Sequence, residues 1–149
     1  MRVNIPAVFI TVTLVFLSRE LINAWQHSPY DRLGVIAFSI WIAGPILLRK
    51  LQSATQLWIH PIAAAIAAIG WILGEFNFII YIGLSLSLCG FVQVGRSQLI
   101  CVFTSISWMP IFGYGLSIFS ASPDHVLILR LALSIVGTVL LFCIKDKNP

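Results

Sequence analysis

The sequence predicts an all-α fold, a polytopic membrane bundle of six transmembrane helices that forms one integral membrane domain over residues 1–149. Three observations lead there. Of the 149 residues, 59% are hydrophobic and only 9% are charged, whereas a soluble domain carries about 25% Asp, Glu, Lys and Arg to clothe its surface. Mean hydropathy is +0.99, and the apolar residues fall into six long runs with minimal polar clusters between them. None of the runs alternates as a lipid-facing barrel strand does. Lipid offers no partner to a bare backbone amide, so such runs must close their hydrogen bonds within helices.

Crossing about 30 Å of hydrocarbon takes roughly 17–25 apolar residues, and runs of about that length lie at 4–23, 33–48, 58–74, 77–95, 99–119 and 126–144. The first follows Met1-Arg2 and has the shape of a signal peptide from Val3 to Leu17. Ser18-Arg19-Glu20 stands where a small-x-small cleavage site would be, so it reads as a retained signal anchor. The second run is short and carries Pro45 near its end. The third opens at His60-Pro61, with proline welcome in a first helical turn. The fourth reaches Gln93, a side chain able to bond across helices, as Asn4 is in the first. The fifth contains Trp108-Met-Pro110-Ile-Phe-Gly113-Tyr-Gly115, where Pro110 removes a donor and is expected to kink the helix and open a bend toward the outer leaflet. The sixth carries Arg130 about one turn inside its outer boundary.

Counting Lys and Arg on each side of this arrangement places Arg2, Arg49, Lys50, Arg96, Lys145 and Lys147 together, against Arg19, Arg32 and Arg130. The positive-inside rule then puts both termini in the cytoplasm of a bacterium, with the helices in its inner (plasma) membrane. Glu20, Asp31, Glu75 and Asp124 fall outside and Asp146 inside. Trp25, Tyr30, Trp71 and Tyr81 near the outer face and Trp58 near the inner one are expected at headgroup level, with Trp41 and Trp108 packed between helices. The sequence pI is near 9.3, yet the basic residues are scattered and no run exceeds Arg49-Lys50, so a nucleic-acid partner is not expected.

Helices in lipid associate through small residues and interhelical hydrogen bonds. Ala63-Ala67, Ala64-Ala68 and Gly70-Gly74 are small-xxx-small pairs in the third run, which is therefore expected at the centre of the bundle. Gly83-Ser87 in the fourth and Ser134-Thr138 beside Gly137 in the sixth have the same spacing. The partners implied are membrane lipid and other membrane subunits or further copies of the chain. No repeat relates the two halves.

An ionisable group within a membrane is a functional candidate by default. Arg130 lies clearly inside a span and has two readings: its side chain snorkels outward to phosphate or an acid, or it binds a substrate or partner at a possible outer-face polar site with Glu75, Asp124, His125 and Asn77. Glu75 is its first expected partner. His27, His60 and His125 lie at helix ends, which does not suit a bis-histidine haem, and no spacing demands a metal, so neither cofactor nor metal is expected. Cys89, Cys101 and Cys143 sit in apolar runs as small hydrophobes. The hydroxyls of the fifth span, Thr104, Ser105, Ser107 and Ser117, have no general base placed beside them, and no catalytic residue is assigned.

Trp25-Gln-His27-Ser-Pro-Tyr30, followed by an apolar span ending Leu47-Leu48-Arg49-Lys50, resembles the outer loop and second helix of the exosortase and archaeosortase family. Gly70-Trp-Ile-Leu-Gly74, Gly95-Arg96 and Trp108-Met-Pro110-Ile-Phe are similar to the succession in the amino-terminal membrane half of those proteins. Over residues 20–118 the resemblance implies a relative of a family that cleaves and transfers sorting-signal proteins with a cysteine, an arginine and a histidine of its carboxy-terminal half, a half missing here. It points to a non-catalytic or accessory relative. The leading expectation is a non-catalytic accessory or scaffold subunit of a membrane assembly. A small oligomeric transporter or channel is the second, and an exosortase-like peptidase or transpeptidase the third.

Overall fold

The computed structural model describes residues 4–48, 50–51, 58–74, 77–119 and 122–144, and among them the protein is all-α, with one isolated antiparallel bridge joining Leu51 to Val92. Helix α1 spans Ile5–Leu17, capped by Asn4, whose side chain accepts from the Ala7 amide at 3.4 Å, with Pro6 in the first turn. The chain then bends by 42° at Ser18 into α2, Arg19–His27. The buried Ser18 hydroxyl donates to the Leu14 carbonyl at 2.8 Å, a local alternative to the helical ladder at the bend. Helix α3 is Gly34–Leu47, α4 is Ile59–Ile72 and α5 is Asn77–Cys89. The fifth apolar run divides into α6, Arg96–Thr104, a 3₁₀ turn over Ser105–Trp108, and α7, Pro110–Ile118, bent by 65° at the break. Helix α8, Pro123–Cys143, starts at Ser122, whose hydroxyl accepts from the His125 amide at 3.4 Å.

Six helical units thus occupy the six apolar runs, with shifted ends. The fourth stops at Cys89 because the chain turns there: Gly95 sits at φ +124, and the Gln93 amide donates to the Lys50 carbonyl at 2.7 Å. Helix α8 is the one helix among the described residues long and apolar enough to cross a membrane alone; the two bent pairs qualify if each counts as one crossing. Helices α3, α4 and α5 have 13 or 14 residues, about 20 Å at 1.5 Å per residue.

The small-residue faces do their work unequally. Ala63 and Ala67 are buried against α5, and a Cβ added at Gly83 would lie 2.7 Å from the Ala63 carbonyl oxygen. One added at Gly70 would lie 2.9 Å from Ile79 Cβ. Ala64 and Ala68, on the neighbouring face of α4, line instead an apolar groove of about 390 Å³ with Phe9, Leu17 and Trp71. Gly74 meets nothing within 4 Å and stands at φ +83, so its lack of a side chain serves the turn rather than helix packing. Helix α4 packs on α5 and α1 and lies at one side of the bundle rather than at its centre, since only one of its faces brings a partner close. Helices α3 and α8 form a second pair, in which Gly44 admits Thr138, and α6 meets α8 where Gly137 admits Thr104.

The aromatic expectations divide. Trp41 and Trp108 are buried between helices as expected, and Trp58 and Trp71 are exposed. Trp25 and Tyr81 are buried within the protein. Trp25, Phe38, Trp41 and Trp108 form one ring cluster with centroids 5.2–6.0 Å apart.

Gly83→Ala should therefore lower stability in mild detergent by about 1–3 kcal/mol, because the new methyl meets backbone. Gly115→Ala, where an added Cβ meets nothing within 4 Å, should leave the thermal midpoint unchanged or slightly raised. Equal midpoints for the two variants would contradict the close approach of α4 and α5.

Candidate functional site

The site grows from the break before Pro110. Proline disfavours the helical conformation of the residue before it, and Met109 stands extended at φ −77 and ψ 141. Carbonyls of the preceding turn thereby lose their helical donors. Two buried side chains supply replacements. The Trp25 indole donates to the Trp108 carbonyl at 2.9 Å, and Arg130 Nη1 donates to the carbonyls of Ser107 at 2.8 Å and Met109 at 3.2 Å. The guanidinium caps the end of a broken helix, where the backbone dipoles favour positive charge.

The other end of the same guanidinium reaches the loop between α2 and α3. Arg130 Nη2 donates to Asp31 Oδ1 at 2.5 Å and to the Tyr30 carbonyl at 3.3 Å. Arg130 is wholly buried and Asp31 nearly so. Two turns fix the Asp31 backbone, its amide bonding the Ser28 carbonyl at 3.1 Å and its carbonyl accepting from Gly34 at 2.7 Å. Burial pushes the Asp31 carboxyl above its ordinary range, while a hydrogen bond from Ser28 and the charge and hydrogen bond of Arg130 pull it back. Phe112 covers the guanidinium, its ring centroid 5.6 Å from the central carbon. Gly113 is needed at this crossing, since a Cβ there would lie 2.8 Å from Asp31 Oδ1 and 3.1 Å from Arg130 Nη2. Ser134, one turn along α8, donates to the Ser107 hydroxyl at 2.8 Å.

Asp31 is also the floor of a cleft of about 770 Å³. Glu20, Asn23 and His27 of α2 form one wall, Asn77 and Tyr81 of α5 another, and Tyr114 of α7 a third. Glu20 is exposed and holds Arg19 at 3.7 Å and Asn23 at 3.3 Å.

The residues expected at one outer site are therefore divided. Arg130 is completely buried and reaches the carbonyls of the broken turn and Asp31 in the loop between α2 and α3, so of the two targets expected for its side chain, phosphate or an acid, it meets an acid. Asn77 lines the cleft. Asp124 lies on the surface, paired with Arg32 at 3.2 Å, and the exposed His125 Nδ1 bonds the Ser122 hydroxyl at 2.5 Å. Glu75 lies outside the described residues. Sequence reasoning missed Asp31 as the partner, although it is one of only five acids in the chain.

A second polar node lies among α1, α4 and α5. His60 is buried, its Nδ1 3.0 Å from the Ser87 hydroxyl, which in turn lies 2.7 Å from the Thr11 hydroxyl. Ser87, expected as a small packing residue, thus also links two helices by hydrogen bonds. No group of three or more His, Cys, Asp or Glu among the described residues could hold a metal. The exposed Cys143 is thirteen positions from Arg130 on α8, about 20 Å along the axis. Two serine hydroxyls lie beside histidine nitrogens, Ser87 beside His60 between helices and Ser122 beside His125 on the surface, and neither pair lines the cleft.

Arg130→Met leaves Asp31 buried and unpaired, and should cost about 3–5 kcal/mol of stability. Adding Asp31→Asn should return much of that loss, because the remaining groups are neutral. Detergent unfolding curves of the two single variants and the double variant check this, and a fully additive double variant would contradict the coupling. No family model matches the chain, and no curated protein or solved structure matches it with significance.

Proposed function

We propose that the chain is an integral membrane protein of six crossings with both termini cytoplasmic, acting as a non-catalytic accessory or scaffold subunit that presents the outward cleft as a binding face. The observation that carries this reading is the cleft of about 770 Å³ lined by Asp31, whose carboxylate is held by the buried Arg130. A site of this form can hold a ligand or a partner's side chain.

The crossings are supported by the match between the six apolar runs and the six helical units, and by α8, which is long enough to span alone. The shorter α3, α4 and α5 are compatible with a bilayer that thins locally or is met by flanking residues. Sidedness is supported by the distribution of charge. Lys50 donates to the Ile144 carbonyl at 2.8 Å beside the Leu51–Val92 bridge, and Arg96 opens α6 from that end. Asp31, Asp124 and Glu20 gather at the other. The resemblance to the amino-terminal half of exosortases fits an accessory role. A peptidase would need a cysteine near Arg130 and His125, and the geometry around Arg130 offers carbonyls and Asp31 instead. A small transporter would use the same cleft, but needs a path past the Asp31–Arg130 pair.

Asn23→Cys and Tyr114→Cys, in a Cys143→Ser background, should react with a membrane-impermeant maleimide added outside intact cells, and Val94→Cys only after permeabilisation. In mild detergent the protein should run within a larger assembly. Labelling of Val94→Cys from outside would overturn the orientation, and a lone monomer would overturn the subunit role.

A further inference from the structure

We propose that the outward cleft binds the ammonium group of a small water-soluble primary amine, of which a polyamine is the extended case. The inference rests on the cleft being an outward binding face and adds the chemistry of its occupant.

Charge comes first. Glu20 and Asp31 both line the cleft, and no Lys or Arg does among the described residues. Arg130 lies behind Asp31 with no exposed surface, and Arg32 is drawn away to Asp124. A phosphate or carboxylate would meet the Glu20 carboxylate with no Lys or Arg on the same walls, whereas a cation meets that carboxylate and the open side of the Asp31–Arg130 pair between low-dielectric walls. The zwitterionic head of an aminolipid would bring its phosphate into the same surroundings, which favours a soluble amine.

The second observation is Tyr81. It is 4% exposed, yet it lines the cleft, and no described residue hydrogen-bonds its hydroxyl. That hydroxyl lies within the field of both Glu20 and Asp31. With no partner among the described residues and the cleft beside it, the phenol is open to a partner from the cleft itself. An ammonium N–H donating to the phenol oxygen supplies it. The further N–H groups are then matched by the Glu20 carboxylate and by the amide oxygens of Asn23 and Asn77, all on the same walls. The rings of Tyr30 and Tyr114 flank the volume, and aromatic faces attract cations. A volume of about 770 Å³ lies within the usual range of small-molecule sites, about 300–1,000 Å³.

The test is calorimetric titration of spermidine into the full chain in phosphatidylcholine nanodiscs, with pentylammonium and its neutral counterpart pentanol as companion probes. Saturable binding of both amines and none of pentanol is expected. Glu20→Gln should weaken spermidine by about tenfold or more, and Tyr81→Phe by about three- to tenfold, in line with hydrogen bonds to a charged group. Glu20 is exposed and the Tyr81 hydroxyl has no hydrogen-bond partner to lose among the described residues, so both variants should fold with unchanged thermal midpoints. Absence of saturable binding, equal binding of pentanol, or wild-type affinity in both variants would overturn the proposal. Loss of spermidine binding when phosphatidylethanolamine replaces phosphatidylcholine would overturn the soluble source. If Asn23→Cys labels from outside while no amine binds, the amine proposal fails and the outward cleft stands; if Asn23→Cys does not label, the cleft reading itself fails.

Discussion

A guanidinium with no exposed surface joins the three parts of this protein that helix packing alone would leave loose. Arg130 bonds the Ser107 and Met109 carbonyls at the break before Pro110, anchors the loop after α2 through Asp31 and Tyr30, and does both from the first half of α8. Each obligation follows from the same physics. A backbone carbonyl or a charge withdrawn from water must find a partner, and in an apolar bundle that partner has to be another part of the chain. The desolvation of the pair is costly, so its contribution lies less in added stability than in fixing one arrangement of loop, broken helix and α8. That arrangement sets the cleft floor.

Packing and polar links divide the bundle between them. Helices α4 and α5 approach through Gly83, Ala63 and Ala67, and the Thr11–Ser87–His60 chain ties α1 to this pair. On the other side, α3 and α8 approach through Gly44, and α6 meets α8 at Gly137. The break at Pro110 and the ring cluster of Trp25, Phe38, Trp41 and Trp108 lie between the two sides, with the Trp25 and Trp41 indoles bonded to carbonyls of the fifth run. The cleft opens where α2 and α7 turn away from their preceding helices. The two bends, at Ser18 and at Pro110, are thus what creates a volume at that end.

Much of this was legible in the residues. Apolar runs gave the number and approximate position of the helical units, because lipid or core burial leaves helices as the only economical way to close backbone hydrogen bonds. Pro110 marked the break, because a missing amide is a property of the residue itself. The bend at Ser18 was not legible, since serine hydroxyls bond locally in many straight helices as well. Arg130 stood out as an exceptional residue with an acid among its expected partners, but which acid it meets was not legible. Its partner was sought in Glu75, across a short turn, whereas Asp31 is brought to it by tertiary folding 99 positions away. Trp25 and Tyr81 were read as interfacial from residue type, and only the carbonyl at Trp108 and the space beside Gly34 explain why the indole is inside.

The cleft depends on its end of the bundle being held in shape by one ion pair. The most direct measurement is solid-state magnetic resonance on the protein in bilayers, with the Arg130 guanidinium nitrogens and the Asp31 carboxyl carbon isotopically labelled. The account predicts a strong dipolar coupling between Nη2 and the carboxyl carbon, together with a second between Nη1 and the Ser107 carbonyl carbon. A guanidinium that shows neither coupling and exchanges its protons freely with water would contradict it.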